Sequence, residues 1–227
     1  MTGRSRRILE MAQRALAFVL AHPDGNPAVA TATTQLTAAL ERAGKLSAQQ
    51  FAGIQAVRSA TAEKMNLRRR IRSAQLDHLV SVARFASREA PELTRKFRLG
   101  RGQMPNLEFR TVARGLMAEA ANQKDVLVKH GLDETVLADL AASLDQFDAA
   151  TGRSTEGRRM HVAASLELQS VTHELLRIVD VLDSCIRLHL EGSPDLLAEW
   201  TQTSSVVSTP RPTPEPAKAP AEVKPAA

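Results

Sequence analysis

The chain reads as an all-α protein: an elongated bundle of about six helices, two of them long, followed by a disordered tail rich in proline and alanine. Three observations predict this. Of the 227 residues 43% are hydrophobic but only 3% aromatic, with six Phe, one Trp and no Tyr, and a core of Ala, Leu, Val and Ile suits packed helices better than sheets. Apolar residues recur at helical spacing, and no window alternates as a strand would. Six of the 11 prolines lie beyond Thr201, in a segment without apolar periodicity. Such a segment cannot bury enough surface to offset its chain entropy.

The other five prolines, at 23, 27, 91, 105 and 194, stand where the periodicity stops or restarts. Proline lacks a donor and clashes inside a helix, so it collects at helix boundaries. The first helix is expected at about 5–21. Its basic start and "ALAFVLA" resemble a signal peptide, but Glu10, Gln13 and Arg14 interrupt the apolar run, which favours an amphipathic helix. Asn26-Pro27 predicts a capped start for a second helix, at about 27–43. Ser47 with Gln50 fits a capping box and opens a third, at about 47–89. The stretch "KFRLGRGQMPNLEF", Lys96 to Phe109, then interrupts the helical pattern. Phe97 and Leu99 are expected to plug the end of the bundle, and Pro105-Asn106 to start the fourth helix at about 106–130, with Asn106 as a candidate cap. Gly131 is the expected stop and Asp133 the cap of a fifth helix, at about 133–150. A sixth spans about 155–190, and Ser193-Pro194 opens a short seventh ending near Trp200.

The sixth helix carries the most regular pattern. Ala164, Val171, Ile178 and Cys185 recur every seven residues, each followed four later by Leu168, Leu175, Leu182 and His189. That is a seam of nearly four heptads, with His189 expected half-buried upon it and Cys185 expected as a small core residue. The third and sixth helices would run roughly 64 and 54 Å at about 1.5 Å per residue. The expected organisation is therefore a helical-bundle domain over 1–200 and a disordered tail over 201–227.

The chemistry-bearing residues do not form a recognisable catalytic or metal set. Di-metal bundles use Glu-x-x-His pairs, and the sequence has none. The six histidines, at 22, 78, 130, 161, 173 and 189, offer no pair one turn apart with a helical carboxylate. "LGRGQ" contains Gly-x-Gly, but a phosphate-binding loop needs a strand before it and a helix after it, so the connector reading is preferred. No catalytic residue, cofactor or metal is expected. A lone cysteine cannot form an intrachain disulfide, which points to a reducing, cytoplasmic setting. No stretch approaches 18 consecutive apolar residues, so no membrane span is expected.

Charge is segregated along the chain. Residues 58–114 carry 14 basic and 5 acidic side chains, while 115–200 carry 7 and 15. The favoured explanation is internal compensation between neighbouring helices. The functional alternative is a patch for an anionic partner, formed by Arg68, Arg69, Arg70 and Arg72 with Arg95, Lys96, Arg98 and Arg101. Arg outnumbers Lys 23 to 7, but coding bias in an Ala-rich chain produces that too. A nucleic-acid module usually adds stacking aromatics or a short recognition helix. This patch has neither, so a protein partner is preferred over nucleic acid.

Three stretches, "NLEFRTVARGLMAEA", "KHGLDETVLADLAASLDQFDAA" and "VDVLDSCIRLHLEGSPDLLAEW", carry an Asn-x-x-Phe-x-x-x-Ala-Arg helix start, a Gly-Leu turn and a Leu-Leu-Ala-x-Trp ending. Over about residues 90–200 the chain resembles a loosely defined group of hypothetical bacterial all-helical proteins with no assigned activity. The resemblance implies a helical fold and no chemistry. The expected function is a non-enzymatic interaction or scaffold protein that binds another macromolecule or a second copy of itself. The alternative is a nucleic-acid-binding protein using the basic patch.

Overall fold

The computed structural model describes residues 2–100, 102 and 104–206. All regular structure among them is helical: α1 (Gly3–Ala21), α2 (Pro27–Arg70), a π-helical turn (Ile71–Leu76), α3 (Asp77–Ala86), α4 (Leu93–Lys96), α5 (Asn106–Asn122), α6 (Lys124–Lys129), α7 (Thr135–His189) and α8 (Pro194–Thr203). The disordered tail expected over 201–227 lies outside the described residues from position 207 onward. Its first residues belong to the folded chain instead. α8 continues to Thr203, and Arg14 Nη2 donates to the Ser205 carbonyl at 3.0 Å.

Boundaries set by local chemistry fall where expected. Asn26 caps α2, its Oδ1 accepting from the Ala28 amide at 2.9 Å, with Pro27 as the first helical residue. Gly131 adopts φ 99°, which only glycine takes up without steric cost. The Leu132 amide reaches back to the Leu127 carbonyl at 2.9 Å and Gly131 to Val128 at 3.0 Å, the pattern of a left-handed helix stop. Asp133 Oδ1 accepts from the Thr135 amide at 2.8 Å just before α7. Asn106 does not cap α5, since Pro105 occupies the cap position and the Asn106 side chain is used elsewhere.

Two expected breaks are absent. The second helix does not end at 43: α2 runs 44 residues through Gly44. Gln50 does not form a capping box with Ser47, because both lie inside α2 and Gln50 Nε2 donates to Ser165 Oγ at 2.7 Å. Likewise the fifth and sixth predicted helices are one, α7, which runs 55 residues through Gly152. The buried series Ala39, Ala43, Leu46, Gln50 keeps its phase across Gly44, as Phe147, Ala150, Ser154 does across Gly152. A helical glycine costs about 1 kcal/mol relative to alanine, less than an unbroken buried seam contributes. Conversely, the predicted helix over 106–130 is broken after Asn122, where Gln123 takes φ −111°, ψ 21°.

The chain divides into two compact units. The described part of one consists of residues 2–43 and 171–206: α1, the start of α2, the end of α7 and α8. Its core is built from Met11, Ala15 and Phe18 of α1, Leu36 of α2, Leu175 and Leu182 of α7 and Trp200 of α8. The α7 seam holds through Leu182 and then drifts. Ile186 and Leu190 are buried, Cys185 is half-buried and His189 is exposed. The expectation of a half-buried His189 is thus corrected. A straight helix advances 3.6 residues per turn, so a seven-residue repeat rotates away from its seam within a few heptads. Cys185→Ala is accordingly expected to cost no more than about 1 kcal/mol in a urea melt. A loss as large as that of emptying a leucine site would contradict its position at the seam edge.

The other unit spans residues 44–170. Its core joins Leu67, Ile71, Leu76 and Leu79 to Leu93, Phe97, Phe109, Leu116, Leu127, Leu140 and Phe147. The π-helical turn has a clear cause. Ile71 and Leu76 are five residues apart and both fully buried, and only a wider turn places such a pair on one face. Phe97 is buried and Leu99 packs against the same cluster, as expected of a plug in the connector. The short α4, which the sequence pattern did not suggest, presents Leu93 to it.

Candidate functional site

The connector between α4 and α5 forms one wall of an open cleft in the second unit. The cleft encloses about 630 Å³ and is lined by Thr61, Lys64, Met65, Arg68, Arg69 and Arg72 on one side and Gly102, Met104 and Asn106 on the other. The four cations lie at spacings of four, one and three, so Lys64, Arg68 and Arg72 share one helical face. No lining residue is a carboxylate.

Two of these cations build the wall. Arg68 donates from Nη1 to Asn106 Oδ1 at 2.7 Å and from Nη2 to the Met104 carbonyl, and its guanidinium lies 4.8 Å from the centre of the Phe109 ring. Arg72 donates from Nη2 to the Gly100 carbonyl at 2.8 Å and from Nη1 to the Gly102 carbonyl at 3.3 Å. These acceptors are neutral, so the bonds do not pair either arginine with an opposite charge. The same bonds answer what the Gly-x-Gly segment does. Its carbonyls face the arginines, whereas a phosphate cradle would offer amide hydrogens. It is a connector pinned by arginine. Lys64 and Arg69 make no side-chain hydrogen bond or ion pair among the described residues.

The eight-residue patch expected from the sequence is therefore split. Arg68, Arg69 and Arg72 meet in the cleft. Arg70 turns away, donating to Ser143 Oγ at 3.0 Å and Gln146 Oε1 at 3.2 Å. Lys96 is neutralised by Glu119 at 2.7 Å. Arg95 is exposed, and Arg98 lines a separate cavity of about 480 Å³ with Arg84. Arg101 lies outside the described residues. Lys64 was missed, although its place one turn before Arg68 was a usable signal.

Internal compensation between basic and acidic helices is real but local. Arg110 pairs with Asp148 at 2.9 Å, and Arg114 with Asp148 at 2.8 Å and Asp145 at 3.2 Å. Arg153 pairs with Glu63 at 2.5 Å. None of these carboxylates reaches the cleft cations. In the first unit a cavity of about 260 Å³ has walls that are polar and apolar in nearly equal parts, with Asp24 and His189 among its lining residues and 3.8 Å apart. Among the described residues no group of three or more His, Cys, Asp or Glu is placed to hold a metal ion, and no helix is long and apolar enough to cross a membrane. Comparison of the chain with protein-family models, with curated proteins and with solved structures finds no match in any of the three.

Proposed function

We propose that this chain is a non-enzymatic interaction module that holds an anionic partner, an acidic segment of another protein, in the cleft between α2 and the connector. The observation that carries this reading is the set of four cations around one open cleft, with no carboxylate among its lining residues. Two of them are fixed by the wall they build, and two are left for a ligand. A concave positive surface raises the local concentration of an anionic partner and speeds its association. Protein is preferred over nucleic acid because Met65 and Met104 line the cleft and no aromatic does. Methionine walls adapt to side chains, whereas a base finds no ring to stack on. A reducing, cytoplasmic setting suits the single free cysteine.

The test compares an oligo-glutamate peptide with a single-stranded oligonucleotide. The wild type is expected to bind the peptide with an affinity that falls as salt rises. Lys64→Glu with Arg69→Glu should abolish that binding and leave the melting temperature unchanged. Arg68→Glu should lower the melting temperature as well, because it releases Met104, Asn106 and the Phe109 ring. Tighter binding of the oligonucleotide at equal salt would favour the nucleic-acid reading. Binding of neither would leave the cleft as solvated surface and remove the proposal.

A further inference from the structure

Within residues 44–170, α2 and α7 run antiparallel in a register fixed by three contacts. Gln50 bonds Ser165, the Gly53 backbone meets Gly157, and Glu63 pairs with Arg153. The buried positions between them are Leu46, Gln50, Gly53 and Ala60 on α2 and Ala150, Ser154, Gly157 and Ala164 on α7. Glu63–Arg153 and Arg70–Gln146 mark one flank of this pair. By helical spacing the opposite flank carries Ile54, Thr61 and Arg68 of α2 and Thr151, Arg158 and Ser165 of α7, with Phe51, Arg58, Met65 and Val162 one step farther out.

α5 already uses part of that flank. Asn106 and Phe109 sit at Arg68, then Arg110 reaches Asp148 and Arg114 reaches Asp145. The falling α7 numbers show that α5 runs away from Phe51 and covers the flank only from Arg68 onward. From Phe51 to Arg68 the flank is uncovered for 17 residues, roughly 26 Å at about 1.5 Å per residue. Phe51 is 62% exposed, Met65 61% and Val162 50%. The charged residues at the flank positions, Arg58, Arg158 and Arg68, are all basic, and the stretch runs into the cleft with Lys64 and Arg69. Neither Arg58 nor Arg158 has an ion-pair partner among the described residues.

We propose that this flank docks an acidic amphipathic helix of the partner protein, which continues the line of α5 across the α2/α7 pair. The proposal rests on the reading of the cleft as an anion-binding site. The partner's apolar stripe lies on Phe51, Ile54 and Val162, and its carboxylates meet Arg58, Arg158 and Arg69. A helix is favoured over an extended segment because α5 shows that the groove between these two helices accepts one. A second copy of the same flank is disfavoured, since it would set these arginines against one another.

The probe is a helical peptide with leucine at the a and d positions of each heptad and glutamate elsewhere. Its control is a scrambled peptide of the same composition, with the same charge and no apolar stripe. The helical peptide is expected to bind wild type roughly tenfold more tightly than the scrambled one, as contacts of large apolar side chains do. Phe51→Ser with Val162→Ser should erase that preference and leave the weaker binding of the scrambled peptide and the melting temperature unchanged. Lys64→Glu with Arg69→Glu should weaken both peptides. Equal binding of the two peptides to wild type would overturn the docked helix and leave the cleft reading standing. Binding of neither would overturn both. A wild-type dimer that Phe51→Ser dissociates would also overturn the inference, by showing that a second copy covers the flank.

Discussion

Trp200→Ala is expected to destabilise the unit formed by α1, the start of α2, the end of α7 and α8 by about 3–5 kcal/mol, the range for emptying a large aromatic core site. Trp200 is fully buried, with its ring centre 5.2 Å from that of Phe18, and its Nε1 donates to Asp183 Oδ1 at 2.8 Å. It is the one residue of α8 that is fully buried among the described residues, so its loss should free the helix from α1. Trp200→Phe should be much milder. It retains most of the apolar volume, and the Asp183 carboxylate keeps the Arg187 Nε donor at 2.8 Å. The cost is then near that of one hydrogen bond to a charged group, about 1.5–3 kcal/mol. Urea melts followed by circular dichroism measure both. Because the chain has a single tryptophan, the wild-type emission also reports α8 docking directly. A Trp200→Ala protein as stable as wild type would mean that α8 does not rest on α1.

The boundaries that could be read from sequence were those with a local cause. Pro27 with Asn26, Gly131 and Pro194 act through their own dihedral angles and nearest amides, so neighbours in sequence suffice to place them. The breaks expected between 43 and 47 and between 150 and 155 are absent because a glycine such as Gly44 or Gly152 ends a helix only when nothing else holds it, and what holds these two segments is the buried series that runs on through them. The π-helical turn was written in the five-residue step from Ile71 to Leu76, but only the burial of both residues shows that the step is used. The candidate site was half legible for the same reason. The run Arg68–Arg72 announced charge, and a run of consecutive residues must point around most of a helix. Which arginines converge depends on where the connector returns, and that is set by Phe97, Leu99 and Phe109 entering the core. Lys64 joins the cleft through the helical period and Arg70 leaves it by the same rule.

The sharpest test of the α2/α7 pairing uses glycine in two settings. Gly152→Ala is expected to stabilise the chain by up to about 1 kcal/mol, because alanine is the better helix former and a methyl group there meets nothing within 4 Å. Gly53→Ala should have the opposite sign, although its helix propensity gain is the same. A Cβ on Gly53 would lie 2.7 Å from the Gly157 carbonyl oxygen and 2.8 Å from the His161 nitrogen. Both are backbone atoms of α7, so no side chain can turn aside, and the two helices must move apart. Overpacking of this kind costs about 1–3 kcal/mol, occasionally more. It would also loosen the Gln50–Ser165 bond one turn away. The net expectation is a loss of about 1 kcal/mol after the propensity gain, read as opposite shifts of the urea midpoint for the two variants. If Gly53→Ala instead stabilised the chain as Gly152→Ala does, α2 and α7 would not cross at these glycines. The register from which the docking flank was derived would then fall with the crossing.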